Sequence, residues 1–223
     1  MGNDARKLVA DGYPLEQVVI SDLRRGGIFW TGKRHCLLTC FVLTEFADIG
    51  HKLFKTTQET YPIAFVPGDA FDPKHLEVVP PLASTHEPTS SPDGPALDLS
   101  SLTSLNPLHG RVFSIHASSF FHLFSEASQL HVARALAGLL SPEPGSVIFG
   151  AHIGKADKGF TTSPVGDYQM FCHCPESWAQ LWNGVVFEKG VVDVKAKLLQ
   201  KGWADPDAYF TKSTALEWSV TRL

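Results

Sequence analysis

The stretch that most constrains this chain runs from Leu108 to Gly154. Arg111 to His116 reads as an apolar strand and passes into the aromatic turn Ala117 to Phe124. Glu126 to Leu140 then has helical spacing, with Leu130, Ala133, Leu136, Ala137 and Leu140 apolar, before Pro142 and Gly145 end it. Ser146 to Ala151 is a second apolar strand. Strand, helix and strand of these lengths predict a βαβ unit with adjacent parallel strands. In open α/β sheets ligands bind outside the carboxyl ends of such strands. Those ends carry Ile115, His116, Ala117 and Ser118 on one side and Ala151, His152 and Ile153 on the other.

The rest of the chain extends this α/β pattern. Asp4 to Asp11 predicts a helix capped by Asn3 or Asp4 and ended by Gly12, and Leu15 to Ile20 predicts a strand finishing at Ser21-Asp22-Leu23-Arg24. An acid at a strand's carboxyl end can accept from both ribose hydroxyls of a nucleotide, or can simply be a turn residue. Glu45 to Phe54 has one apolar helical face, made of Phe46, Ile49, Leu53 and Phe54. Ile63 to Val66 is a short strand ending in Pro67-Gly68-Asp69-Ala70-Phe71-Asp72. Asp69 reads either as a second ligand-facing acid or as a Gly-Asp turn, with Asp72 capping a short helix from Pro73 to Val78. Pro80 to Pro95 is rich in Pro, Ser and Thr and predicts a mobile surface excursion, followed by a helical turn within Leu97 to Leu105. Gly154 to Val165 predicts a loop, and Pro175 with Glu176 opens a helix carrying Trp178, Leu181 and Trp182 on one face. Val191 to Leu198 and Leu216 to Leu223 alternate as strands and predict an antiparallel pair closing one sheet edge.

Composition narrows the function classes. With 43% hydrophobic residues, 19% charged and a net charge of −4, the 223-residue chain suits one globular domain and lacks the basic stripe of a nucleic-acid binder. No apolar run reaches the roughly 18–20 residues of a membrane span, and the start of the chain has neither a secretory signal nor a complete myristoylation pattern, so a cytoplasmic location is expected. Of the pairs Cys36/Cys40 and Cys172/Cys174 only the first has zinc-ligand spacing, so reduced thiols and no metal are expected. No G-x-G-x-x-G follows a first strand, which argues against a dehydrogenase-like dinucleotide binder.

The order and wording of several motifs resemble the class I S-adenosylmethionine-dependent methyltransferases, most closely the small fungal enzymes that methylate meroterpenoid intermediates. The resembling stretches are Asp4 to Gly12, Val19 to Arg24, Glu45 to Phe54, Pro67 to Asp72, Ile115 to Phe124 and Leu139 to Gly150. They continue with Pro175 to Trp178, Val186 to Gly190 and Trp218 to Arg222. The resemblance implies a single domain over residues 1–223 with a Rossmann-like methyltransferase sheet, helices on both faces and an antiparallel C-terminal strand pair. The family begins with a strand and a glycine-rich turn ahead of the helix at Asp4, so the first strand is missing from this sequence, and residues 25–44 form an atypical insert. A late start codon and a translated intron would account for both. Alternatively, Cys36 to Leu43 is a strand that fills the vacated central slot.

The resemblance also implies roles. S-adenosylmethionine would be held by Asp22 with Leu23, by Asp69, Ala70 and Phe71, and by His116 and Ala117 near the sulfonium. Phe120, Phe121, His122, His152 and Trp178 would face a small terpenoid or polyketide substrate, with His116 and His122 as positioning candidates. The implied reaction is O-methylation of a terpenoid carboxylic acid in secondary-metabolite biosynthesis, and the resemblance leaves room for a homodimer. A non-methylating relative, acting as an isomerase, a cyclase or a binding protein, is the alternative.

Overall fold

A computed structural model describes residues 3–22, 52–57, 59–83, 97–162, 168–200 and 214–223. The chain forms two compact units, one from Met1–Glu77 with Thr89–Pro107, the other from Val78–Pro88 with Leu108–Leu223. The expectations for residues 25–44 and for Glu45 to His51 lie outside the described residues, as does most of the Pro80 to Pro95 excursion.

In the first unit helix α1 spans Asn3–Ala10 and ends where Gly12 turns at φ 102°, donating to Val9 O. Arg6 ties the helix down: its Nη2 donates to Thr56 Oγ1 at 2.8 Å, and its guanidinium lies over the rings of Phe54 and Tyr61. Strands β1 (Val19–Asp22) and β2 (Ala64–Pro67) run parallel, with Asp22 opposite Pro67. The first strand therefore starts later than its sequence suggests. Pro14 is followed by a 3-10 turn over Leu15–Gln17, closed by Val18 N–H on Leu15 O. Only from Val19 onward does β2 offer partners.

The helix expected from Pro73 to Val78 is instead a tight turn. Asp72 O accepts from both His75 and Leu76 N–H, but the helix cannot propagate because its next groups are used elsewhere. His75 O accepts from Leu105 N–H, Glu77 N–H donates to Asn106 Oδ1, and Asn106 Nδ2 donates to Pro73 O. The turn expected within Leu97 to Leu105 is a 3-10 turn over Leu99–Ser101, capped by Asp98, whose carboxylate accepts from Ser100 N–H.

The second unit is built on the central βαβ stretch. Strand β3 (Ser114–His116) pairs parallel with β4 (Val147–Ile153), and helix α2 (Glu126–Leu139) connects them. Regular pairing of β3 begins at Ser114 rather than Arg111. The polar groups of Val112 are taken by the end of α2 instead: its N–H donates to Leu139 O and its carbonyl accepts from Ser141 N–H. Ser125 caps α2, and Val132, Ala133, Ala135 and Ala137 bury its inner face.

The segment expected as loop, Gly154 to Val165, contains a strand, β5 (Gly159–Thr162), which pairs antiparallel with β6 (Gln169–Cys172). Four residues with Phe160 and two threonines were too short a run to reveal alternation without the partner strand. Helix α3 (Pro175–Trp182) starts with Cys174 as its cap, where the cysteine Sγ accepts from Ser177 N–H and Ser177 Oγ accepts from Cys174 N–H. Strands β7 (Val192–Gln200) and β8 (Thr214–Arg222) are antiparallel, and the sheet order is β3-β4-β8-β7. The C-terminal pair thus closes one edge, as its alternation predicts. Along β8 the buried residues are Leu216, Trp218, Val220 and Arg222, the two-residue period of a strand with one face in the core.

Candidate functional site

The carboxyl ends of β3 and β4 lead directly into an aromatic cluster. After His116 the chain turns through Ser119, at the left-handed φ of 54°, into a single 3-10 turn over Phe121–Leu123. Two backbone bonds pin this turn to β4: Ala117 N–H donates to Phe149 O and Ser119 N–H to Ala151 O. Gly150 makes the approach sterically feasible, because a Cβ there would lie 2.2 Å from Ala117 O. Gly150→Ala is therefore expected to lower stability by about 1–3 kcal/mol, since backbone must move to relieve the overlap. A urea midpoint equal to that of the wild type would refute this packing.

Phe121 has no exposed surface and sits at the centre of the cluster. Its ring lies 4.9 Å from Trp178, 5.7 Å from both His152 and Trp218, and 6.3 Å from Trp182. Phe121 and Trp178, expected to line a substrate wall, are fully buried core residues. Phe120 and His122 keep partial exposure, and Phe120 packs edge-on against Phe121 and Phe124. His116 is exposed, stacked on Phe149 at 5.0 Å, with Nε2 2.8 Å from Ser118 Oγ, whereas Ala117 is buried.

Three histidines sit among these rings. His152 is 4% exposed, and its Nδ1 accepts from Trp218 Nε1–H at 2.9 Å. Burial, aided by neighbouring His122 and His173, pushes His152 down to about 3. Burial likewise pushes His122 down to about 4, and its ring stacks over His152 at 6.4 Å. His173 falls to about 4 through burial and Lys158, opposed by Glu126, and its Nδ1 lies 2.8 Å from Ser177 Oγ. All three imidazoles are neutral at pH 7. Burial also raises the Cys172 thiol to about 11, so it is neither a thiolate nucleophile nor a metal-ready ligand there.

In the first unit Asp22 and Asp69 stand at the carboxyl ends of the parallel pair β1 and β2, where a nucleotide fold places ligand-binding acids. Asp69 also makes the expected turn, accepting from Phe71 N–H at 2.9 Å through Oδ1. Ala70 and Phe71 are half-buried beside it, and Leu23 lies outside the described residues.

His75, which sequence reading passed over, organises this rim. Ser21 Oγ donates to Val66 O at 2.8 Å and lies 3.1 Å from His75 Nε2. The ring packs so closely over Gly68 that a Cβ there would be 2.0 Å from Nδ1. Its pattern Gly-x6-His carries no helical or strand period, which is why it gave no signal. Trp218 had a signal in the alternation of β8, and Trp182 in the apolar face of its helix.

No protein-family model matches the chain. It is 28% identical over 190 residues to the O-methyltransferase phiE of a fungal species, covering 85% of this chain and 48% of the relative. It is 34% identical over 107 residues to the Asnovolin E/Chermesin D methyltransferase nvfJ of Aspergillus novofumigatus, covering 48% of this chain and 37% of the relative. With the methyltransferase adrK of Penicillium rubens it shares 24% identity over 211 residues, covering 95% of this chain and 57% of the relative. A mixed α/β chain with a parallel βαβ unit, it is similar to proteins named methyltransferases along most of its length. More narrowly, the proteins it is similar to are methyltransferases of fungal secondary-metabolite pathways. The chain spans roughly half the length of these relatives. Among the described residues no helix is long and apolar enough to cross a membrane.

Proposed function

We propose that this protein transfers a methyl group from S-adenosylmethionine to a carboxylate oxygen of a small terpenoid or meroterpenoid. The observation that carries the proposal is the 190-residue similarity to an O-methyltransferase. The donor set fits the cofactor's nucleoside. Asp22 would accept from the ribose hydroxyls, and Asp69, with one carboxylate oxygen held by Phe71 N–H, would offer the other to the adenine amino group. Ala70 and Phe71 would flank the base. Bound there, the cofactor supplies a methyl group already activated by its positive sulfur.

The chain's own residues then have little proton chemistry to perform. A carboxylate is nucleophilic at neutral pH and needs no general base. Methyl transfer gains mainly from alignment of the reacting atoms and exclusion of water. Phe120 and His122, partly exposed over an aromatic interior, suit an apolar substrate skeleton.

Titration calorimetry with S-adenosylmethionine tests the reading. Micromolar binding is expected, weakened about tenfold or more in Asp22→Ala through loss of charge-assisted hydrogen bonds. Absence of heat up to millimolar cofactor, in a sample whose circular dichroism shows it folded, would sink the proposal.

A further inference from the structure

At its carboxyl end the β1–β2 pair is held by side chains rather than by its backbone ladder. The pairing stops at Pro67, which has no N–H to give. His75, buried at 6% exposure, takes over. Its backbone is fixed on both sides, N–H on Asp72 O and carbonyl under Leu105 N–H, each at 2.8 Å. Ser21 Oγ gives its one hydrogen to Val66 O at 2.8 Å and lies 3.1 Å from His75 Nε2. The hydroxyl can therefore only accept from the ring, which puts the imidazole proton on Nε2 and the lone pair on Nδ1. Burial, opposed by Asp72 and Asp69, holds this ring below the usual histidine range, so it stays neutral at pH 7. Nδ1 and Cγ sit over Gly68, where a Cβ would lie 2.0 and 2.1 Å from them.

One ring thus contacts the residue before each acid proposed to hold the nucleoside, since Ser21 precedes Asp22 and Gly68 precedes Asp69. A nucleoside carries its ribose diol at one end and its adenine amino group at the other. Two acceptors serve both ends at only one separation, and binding geometry of this kind is sensitive to displacements of about 1 Å. Among the described residues β1 and β2 are a two-stranded sheet of four residues each. So short a pair holds its ends poorly by itself. The Ser21–His75–Gly68 bridge spans those ends and supplies the missing constraint.

We propose that His75 is a positioning residue for nucleoside binding. Its Nε2–H on Ser21 and its ring against Gly68 set the separation of the strand ends that carry Asp22 and Asp69. This deepens the cofactor reading given above and rests on it for the identity of the ligand.

The test is calorimetry with S-adenosylmethionine on the full chain and three variants. In His75→Asn the amide ends near the place of Nδ1 and cannot reach Ser21, and binding is expected to weaken about tenfold, roughly the worth of one hydrogen bond. In His75→Gln the amide reaches the place of Nε2 and can donate to Ser21, so most of the affinity is expected to return. Ser21→Ala removes only the hydroxyl and is expected to weaken binding as His75→Asn does. It carries the test if circular dichroism shows His75→Asn unfolded. A positioning role also predicts coupling: added to Asp22→Ala, His75→Asn should cost less than about twofold, because one acid alone has no separation to keep. A merely structural histidine would cost the same in both backgrounds. Equal binding by wild type and Ser21→Ala, equal losses in the asparagine and glutamine variants, or additive losses with Asp22→Ala overturn this inference and leave the cofactor reading standing. A folded wild type that binds no cofactor removes that reading, and this inference with it.

Discussion

Phe121→Ala is expected to cost about 3–5 kcal/mol, the range for deleting a large buried aromatic ring. Domains of this kind are stable by only about 5–15 kcal/mol, so the variant stands close to unfolding. The reason for placing it at the upper end is the number of partners. The ring meets Phe120, His152, Trp178, Trp182 and Trp218, four of them edge-on, and edge-to-face aromatic pairs add to simple burial. The cavity would also border His152 Nδ1 and its indole donor. Collapse into it is hindered, because the turn carrying Phe121 is pinned to β4 by Ala117 and Ser119 N–H. Phe121→Leu, which keeps much of the volume, should cost far less. Urea unfolding followed by tryptophan fluorescence reads both. An alanine variant within about 1 kcal/mol of the wild type would mean the ring is not the keystone of the cluster.

The contrast between what was legible and what was not turns on contacts distant in sequence. The βαβ unit could be read because its evidence is local: an apolar run, a helical period ended by Pro142 and Gly145, another apolar run. The C-terminal pair was legible for the same reason, since alternation alone sorts Leu216, Trp218, Val220 and Arg222 onto one face. Boundaries failed wherever a backbone group had a better partner elsewhere. Val112 bonds to the end of α2 rather than to β4, and His75 O bonds to Leu105, which stops a helix that Asp72 had begun.

The candidate site divides along the same line. The placement of Asp22 and Asp69 at strand ends follows from the strands themselves. The environment of Phe120, Phe121 and His122 does not, because three consecutive aromatic residues on a turn have no period to say which faces inward. Only the register of β4 with β8, with Gly150 opposite Trp218, brings Trp218 against His152 and makes Phe121 the centre. His173 was legible only as a neighbour of two cysteines, yet it is buried in the same interior.

That interior makes folding sensitive to mild acid. His152, His122 and His173 are held down to about 3, 4 and 4, whereas an unfolded histidine titrates near 6.5. The folded-state values are depressed, so above about pH 6.5 both states are neutral and the full stability is present. As pH falls below 6.5 the unfolded chain binds protons that the folded one refuses, and stability is lost until the folded values are reached. Each histidine contributes about 1.4 kcal/mol per pH unit inside that window, and the three together about 3 kcal/mol between pH 6 and pH 5. The groups nearby do not cancel this. Around His152 the titratable neighbours are the other two histidines, and at His173 Lys158 opposes protonation more than Glu126 favours it. Carboxylates titrate lower, near pH 4, so the histidine window is separately visible. The urea midpoint is expected to be flat from pH 8 to 7 and to fall steeply from pH 6.5 to 5, with a shallower slope in His173→Asn. A midpoint that holds level down to pH 5 would show that these rings are not sealed from water in the folded chain.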